Sequence, residues 1–247
     1  MAAYIGTAGW CIPRGSAPRF QALGTHLERY AQVLSCAEIN SSFHRPHARS
    51  TYAKWAGSTP RGFRFAVKMP RTITHEQALR RTRPALERFL DEVKGLGRKC
   101  GPLLVQLPPS LAFDRRVATR FFELLRARCD GPVVCEPRHA TWFTPPADAL
   151  LVSHQVGRVA ADPAPAPGAE RPGGWEGLVY YRLHGSPRTY WSRYSEQRIH
   201  ALAESINAVP ARIDRWCIFD NTASGAALEN ALELVQETED RKTERRR

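Results

Sequence analysis

The chain has 247 residues, 43% of them hydrophobic, and carries 36 Lys and Arg against 24 Asp and Glu, a net charge of +12. That length suits one (β/α)8 barrel of about 250 residues. No run of about 18 apolar residues is present to cross a membrane, so no membrane partner is expected. The basic balance favours polyanionic partners. Only five basic residues are lysine (Lys54, Lys68, Lys94, Lys99, Lys242), however, and an arginine-rich coding bias explains the charge equally well. Six cysteines show no C-x-x-C pair or zinc-finger spacing, and the chain reads directly into a first strand without a signal peptide. A reduced, cytoplasmic protein is the expectation.

Eight short apolar runs, most of them ending in a polar residue, recur in chain order: 4–7, 37–40, 63–68, 103–106, 133–136, 159–162, 180–184 and 217–221. Helical periodicity lies between them. Thr25 and Glu28 form a capping box ahead of Leu27, Tyr30, Ala31 and Leu34. Leu86, Phe89, Leu90 and Val93 follow Pro84, and Phe121, Phe122, Leu124 and Leu125 follow the fourth run. Ser195 and Ser224 are candidate N-caps for two further helices, marked by Ile199, Leu202, Ala203 and Ile206 and by Leu228, Ala231, Leu232 and Val235. Eight β-then-α units predict an α/β fold, a single TIM-type (β/α)8 barrel domain over 1–236. The sixth crossover breaks the pattern. DPAPAPGAERPGGWEG (162–177) is too rich in proline and glycine for a helix. It is either a cover over the site or an inert extended connection. The charged segment 237–247 predicts a frayed helix end or a disordered tail.

Strand parity sorts the polar ends. Glu38 and Asn40 share one face. Arg64, Ala66 and Lys68 lie opposite Phe63, Phe65 and Val67. Arg182 and His184 lie opposite Val179, Tyr181 and Leu183. The apolar faces should pack under the helices. A polar ring of Glu38, Asn40, Lys68, Gln106, Glu136, Arg182, His184 and either Asp220 or Asn221 then lines the barrel mouth, where such folds place their chemistry. A network of internal ion pairs is the competing reading.

Glu38, Lys68, Glu136 and His184 are the candidate acid/base residues. Lys68 beside Arg182 suits a base or a Schiff-base amine. Glu38, Glu136, His184 and Asp220 could converge on a divalent ion, although the expected set of metals and cofactors is none. An anion has a predicted place in the turns after the last two strands. Ser186, Arg188 and the turn Asn221, Thr222, Ser224 and Gly225 offer backbone donors, hydroxyls and a guanidinium near a helix N-terminus. Ordinary capping is the alternative reading there. Trp10, Phe43, Trp142, Tyr190, Trp191 and Tyr194 cluster in the loops with His44, His75 and His139, in a pattern suited to sugars or bases. Among these, Trp10 and Tyr190 join the candidate binding residues.

Seven stretches carry a family resemblance: IGTAGW (5–10), EINSSF (38–43), TPRGFRFAVKMPRTITH (59–75), GPLLVQLPPS (101–110), EPRHATW (136–142), YYRLHGSPRTYWSRYS (180–195) and FDNTASGAALENA (219–231). With them the chain resembles the YecE-like family, domain of unknown function 72. The resemblance implies a TIM-type barrel. It brings no catalytic residue by precedent, because the family's activity is not established. Ala8, His44 and Pro137 depart from a common serine, a common tyrosine and a usual large apolar residue. The leading expectation is an enzyme, a hydrolase or lyase, acting on a phosphate-bearing ligand such as a sugar phosphate, nucleotide or nucleic-acid end. A non-enzymatic nucleic-acid-binding protein and a metal-dependent phosphodiesterase are the alternatives.

Overall fold

The computed structural model describes residues 3–244. Its parallel strands β1 (Ala3–Ala8), β2 (Cys36–Ile39), β3 (Arg64–Lys68), β4 (Cys100–Gln106) and β5 (Val133–Glu136) pair in sequence order. The sixth barrel strand is interrupted. Its first part, β6 (Val156–Arg158), pairs with β5, and its second, β7 (Ala160–Asp162), pairs with the strand after the crossover. Val159, between them, donates its N–H to the Cys135 carbonyl at 2.9 Å. A two-residue strand β8 (Gly173–Gly174) runs antiparallel to β6. β9 (Leu178–Leu183) and β10 (Asp214–Phe219) then lead back to β1. The barrel therefore comes round through a divided strand, which is how ten strands make an eight-membered ring.

Seven helices cover it: α1 (His26–Tyr30), α2 (Arg49–Gly57), α3 (Arg83–Val93), α4 (Arg115–Arg126), α5 (Pro145–Ser153), α6 (Glu196–Ala208) and α7 (Ala226–Glu244). Among the described residues the sixth crossover has no helix, as its prolines and glycines predict. The Thr25–Glu28 capping box forms, with reciprocal bonds of 2.7 and 3.3 Å. Periodicity does not mark α2 or α5. In α2 the buried side is carried by Tyr52 alone, and α5 is apolar on most faces, so neither shows a clean stripe. The charged C-terminal segment is helical over its described residues. α7 continues through it to Glu244, with Thr238 buried and Arg241 paired to Glu204 of α6 at 3.2 Å. Spacing places these side chains against the neighbouring helix and so supports the last turns. Residues 245–247 of the expected tail lie outside the described residues. No described helix is long and apolar enough to cross a membrane.

Alternation divides the apolar side chains into two layers. Phe65, Val67, Tyr181 and Leu183 face the helices. Cys36, Ala66, Leu104, Val134, Tyr180, Trp216 and Ile218 fill the barrel. Trp216 stacks on Tyr4 at 4.6 Å and lies parallel to Tyr180 within 9°, a solid floor beneath the mouth. Tyr30 ties the first units together. Its hydroxyl accepts the Thr7 N–H at 2.8 Å and donates to the Cys36 carbonyl at 3.0 Å.

β1 and β2 approach so closely that a Cβ on Gly6 would lie 2.0 Å from the Cys36 carbonyl oxygen. Both partners are backbone, so no rotamer relieves the clash. Gly6→Ala is expected to destabilise the fold by roughly 3 kcal/mol. Gly57→Ala, in open space at the end of α2, should be neutral or stabilising by up to about 1 kcal/mol. Chemical unfolding of the two variants checks the contrast.

Candidate functional site

The C-terminal strand ends converge on one buried guanidinium. Arg182, on β9, is fully buried. Its Nη2 lies 2.8 Å from Glu38 Oε1 and 2.9 Å from Asp220 Oδ2, and its Nη1 lies 3.1 Å from Glu136 Oε2. Nε adds a bond of 3.1 Å to Glu38 Oε2, which also accepts from the Tyr180 hydroxyl at 2.9 Å. His184 stands between two of the carboxylates, Nε2 2.9 Å from Glu136 and Nδ1 3.1 Å from Asp220. Gln106 Nε2 donates to Glu136 Oε2 at 3.1 Å, and Arg138 reaches Glu136 Oε1 from the rim at 3.1 Å.

Electrostatics follow from this geometry. Burial would raise the Glu136 carboxyl, but Arg182, His184 and Arg138 outweigh it and hold the group well below the usual carboxylate range. Asp220 is likewise lowered against burial by Arg182 and His184. Burial would lower the Arg182 guanidinium, but Asp220, Glu38 and Glu136 raise it well above its ordinary value.

Lys68 differs from every other charge here. It ends β3 with only 7% of its surface exposed. Its Nζ sits 4.0 Å from the centroid of the Phe43 ring, and no carboxylate among the described residues comes within 4.0 Å of it. Burial, then Arg182, pushes its ammonium down to about 8. His75, which packs edge-on against Phe43 at 4.9 Å, is lowered by burial and by the charges of Lys68, Arg71 and Arg138. Asn40 opens the short helix after β2, and its Oδ1 is buried without a hydrogen-bond partner.

The remaining predicted binding residues separate from this centre. Asp220 joins the network, whereas Asn221 points away and fastens Ser192 O and Asn230 Oδ1 at 2.9 and 3.1 Å. The turn expected to cradle an anion uses several of its donors internally, and so does the start of α7. The N–H groups of Ala223, Gly225, Ala226 and Ala227 go to Tyr190 O, Thr222 O, Ser224 Oγ and Asn221 O. Ser224 donates its hydroxyl to Trp191 O at 2.5 Å. Gly225, at φ +84°, serves the approach of Pro13, which a Cβ would meet at 2.9 Å. Arg188 stacks on the Trp191 ring at 4.5 Å, and Ser186 is exposed. Trp10 packs edge-on against Trp55 and Phe65, in the outer layer. Tyr190 does reach the centre. Its ring meets the edge of His184 at 5.5 Å, and its hydroxyl accepts from Arg138 at 3.5 Å. Sequence reasoning missed Arg138 and Tyr180. Parity could have found Tyr180, two residues before Arg182 on the same face.

Among the described residues no group of His, Cys, Asp and Glu is arranged to hold a metal ion. Arg182 occupies the centre of the acidic set, so a cation of the chain itself already pairs with all three carboxylates. Its removal should therefore be severe. Arg182→Leu is expected to lose roughly 3–5 kcal/mol at pH 7.5, because three carboxylates are left buried without their common partner. Those carboxyls would then bind protons more readily folded than unfolded. Stability of the variant should fall as pH rises from about 5 to 7.5, while the lowered carboxyls of the native protein give no such slope. Urea unfolding at the two pH values checks the sign.

The comparisons agree with this architecture. The family model described as protein of unknown function DUF72 matches residues 4–247. The UPF0759 protein YecE of Escherichia coli is 34% identical over 106 residues, 42% of this chain, and the chain covers only 37% of that protein's length. The UPF0759 protein YunF of Bacillus subtilis is 22% identical over 94% of this chain and 93% of its own. Crystal structures of DUF72 family proteins from Enterococcus faecalis and Thermotoga maritima share the fold. Their TM-scores are 0.82 and 0.78, at 20% and 22% identity, covering 96% and 97% of this chain and 96% and 100% of theirs. Matched from residue 4 to residue 247 with its barrel intact, the chain belongs to the DUF72 family.

Proposed function

We propose that this protein is an enzyme that moves a proton on a phosphate-bearing ligand at the barrel mouth, with Lys68 as the base. The observation that carries this reading is the state of Lys68. It is a nearly buried amine with an aromatic neighbour, no carboxylate partner, and an ammonium lowered to about 8. A base is most effective when its pKa lies near working pH. Roughly a quarter of such an amine is neutral at pH 7.5. Packing alone gives no reason to bury a cation there, and perturbed groups of this kind gather at functional sites.

The other residues take supporting roles. Arg182 pairs with Glu38 and holds Glu136 and Asp220 charged, so these last two carboxylates are fixed counter-charges more than proton carriers. His184 bridges Glu136 and Asp220 and holds that edge of the site in place. Arg138 and Tyr190 form the roof over it. A non-enzymatic nucleic-acid binder would need no unpaired buried amine.

Lys68→Met should abolish turnover yet raise stability at pH 7 by roughly 1–2 kcal/mol, about 2–8 °C in Tm. The sign follows from linkage. A lysine lowered in the folded state opposes folding below about 8, and this penalty fades as pH rises toward the ordinary lysine value. The advantage of the variant should therefore shrink between pH 7 and 10 in paired melts. For the ligand, a thermal-shift panel should pair sugar phosphates and nucleotides with their dephosphorylated parents and include an oligonucleotide. Stabilisation by phosphorylated small molecules alone is expected. An equal response to the parents overturns the phosphate reading, and a response to the oligonucleotide alone favours the nucleic-acid binder.

A further inference from the structure

The turns after β9 and β10 use several of their donors within the protein, and a second cluster of guanidiniums lies on the other rim. We propose that the cavity between the β3–α3 segment and α4, lined by Arg80, Arg81 and Arg120, is the subsite for the phosphoryl group of the ligand. This rests on the phosphate-bearing ligand proposed above. The cavity measures about 360 Å³, and Leu79 and Val117 complete its wall. All three arginines are exposed. Asp114 meets Arg80 at 3.1 Å and is the one carboxylate among the described residues within 4.0 Å of any of the three. Arg81 and Arg120 have no carboxylate within that distance, so positive charge remains for a ligand to neutralise. Planar guanidiniums suit phosphate oxygens, which they can bind two bonds at a time.

The backbone supports the assignment. Three non-glycine residues in four positions hold left-handed conformations: Ala78 at φ 46°, Leu79 at 65° and Arg81 at 54°. Such strain persists only where surrounding structure fixes it, and it gathers at binding sites. Here Leu79 is anchored in the core, its N–H donates to Ile73 O at 3.0 Å, and Arg80 N–H donates to Gln77 O at 2.8 Å. The turn thus sets Arg80 and Arg81 toward the first turns of α4. Asp114 caps α4 through a 3.1 Å bond from the Val117 N–H. The location also fits. β3 ends at Lys68, and the same segment passes His75, which feels the charges of Lys68 and Arg138, before it reaches Arg80. Arg80 and Asp114, which meet at the cavity, belong to the segments that leave the C-terminal ends of β3 and β4, the end of the barrel at which Lys68 lies.

Calorimetric titration with inorganic phosphate in a chloride background, at matched ionic strength, tests this. Four proteins are compared: wild type, Arg81→Gln/Arg120→Gln, Arg98→Gln/Arg212→Gln and Lys68→Met. Arg98 and Arg212 are exposed and precede β4 and β10, at the opposite end of the barrel, and supply the same change in net charge. Saturable binding by wild type is expected. It should weaken at least about tenfold in Arg81→Gln/Arg120→Gln and stay within about twofold in the other two variants. Equal weakening in both double variants would reduce the effect to net charge and overturn the subsite. Weakening in Lys68→Met with binding retained in Arg81→Gln/Arg120→Gln would overturn it too, moving the phosphate to the base itself while leaving the enzymatic reading intact. No binding by wild type would overturn the subsite and the phosphate assignment, but not the role of Lys68 as a base.

Discussion

The mouth of this barrel depends on Arg182. Three carboxylates from β2, β5 and the end of β10 are drawn into a volume where an unpaired charge would cost several kcal/mol. One guanidinium with five donors reaches all of them. Lysine would replace it poorly, because its three donors radiate from one atom, whereas the guanidinium spreads five donors over three nitrogens and grips Glu38 with two of them. The Tyr180 hydroxyl below and Gln106 beside it occupy further lone pairs, so the network is satisfied and rigid.

Lys68 follows from the same arrangement. Every nearby anion already has a partner, so the lysine at the end of β3 finds an aromatic face in place of a carboxylate. A cation–π contact contributes only about 0.5–2 kcal/mol, less than full desolvation of an ammonium costs, and the group responds by releasing its proton more easily. Burial beside an acidic network already closed on arginine therefore leaves an amine that gives up its proton more easily than an ordinary lysine. The two rims divide similarly. The loop after β9 is sewn to the start of α7 by Asn221, Ser224 and Asn230. The β3–α3 segment keeps a run of strained backbone and, in Arg81, a guanidinium with no carboxylate within 4.0 Å among the described residues. Arg188 on the other rim likewise meets no carboxylate and lies on the Trp191 ring, so the rims differ chiefly in how far their loops are tied down.

Much of the fold was legible because it rests on local rules. Period-two alternation sent Lys68, Arg182 and His184 inward and Phe65, Val67 and Leu183 outward, as found. The capping box at Thr25 and the helix-free sixth crossover are equally local. The failures mark where tertiary partners decide. Asp220 and Asn221 could not be separated until the register of β10 placed Ile218 in the barrel. The Asn221–Gly225 turn has the composition of an anion cradle, but the Asn221 amide, the Ala223 N–H and the Ser224 hydroxyl go to a loop about 30 residues earlier in the chain. The charged end of α7 looks unsupported in sequence, and acquires its partners only when α6 lies alongside. Arg138 carried no signal at all, since a loop residue joins the network only through the backbone path after β5.

These features share an energetic logic. A chain selected for stability alone would exchange Lys68 for an apolar residue and replace at least one of Ala78, Leu79 and Arg81 with glycine, gaining roughly 1–2 kcal/mol at each left-handed position. Both departures lie on the one segment that leaves β3. Isolated left-handed residues also occur at Gln155 and, on the opposite rim, at Tyr190, where Asn221 Oδ1 is buried without a hydrogen-bond partner. The β3 segment differs in its grouping: three left-handed positions in four residues, on the same stretch of chain as a nearly buried lysine. That grouping is the physical reason to regard this side of the mouth as the working side.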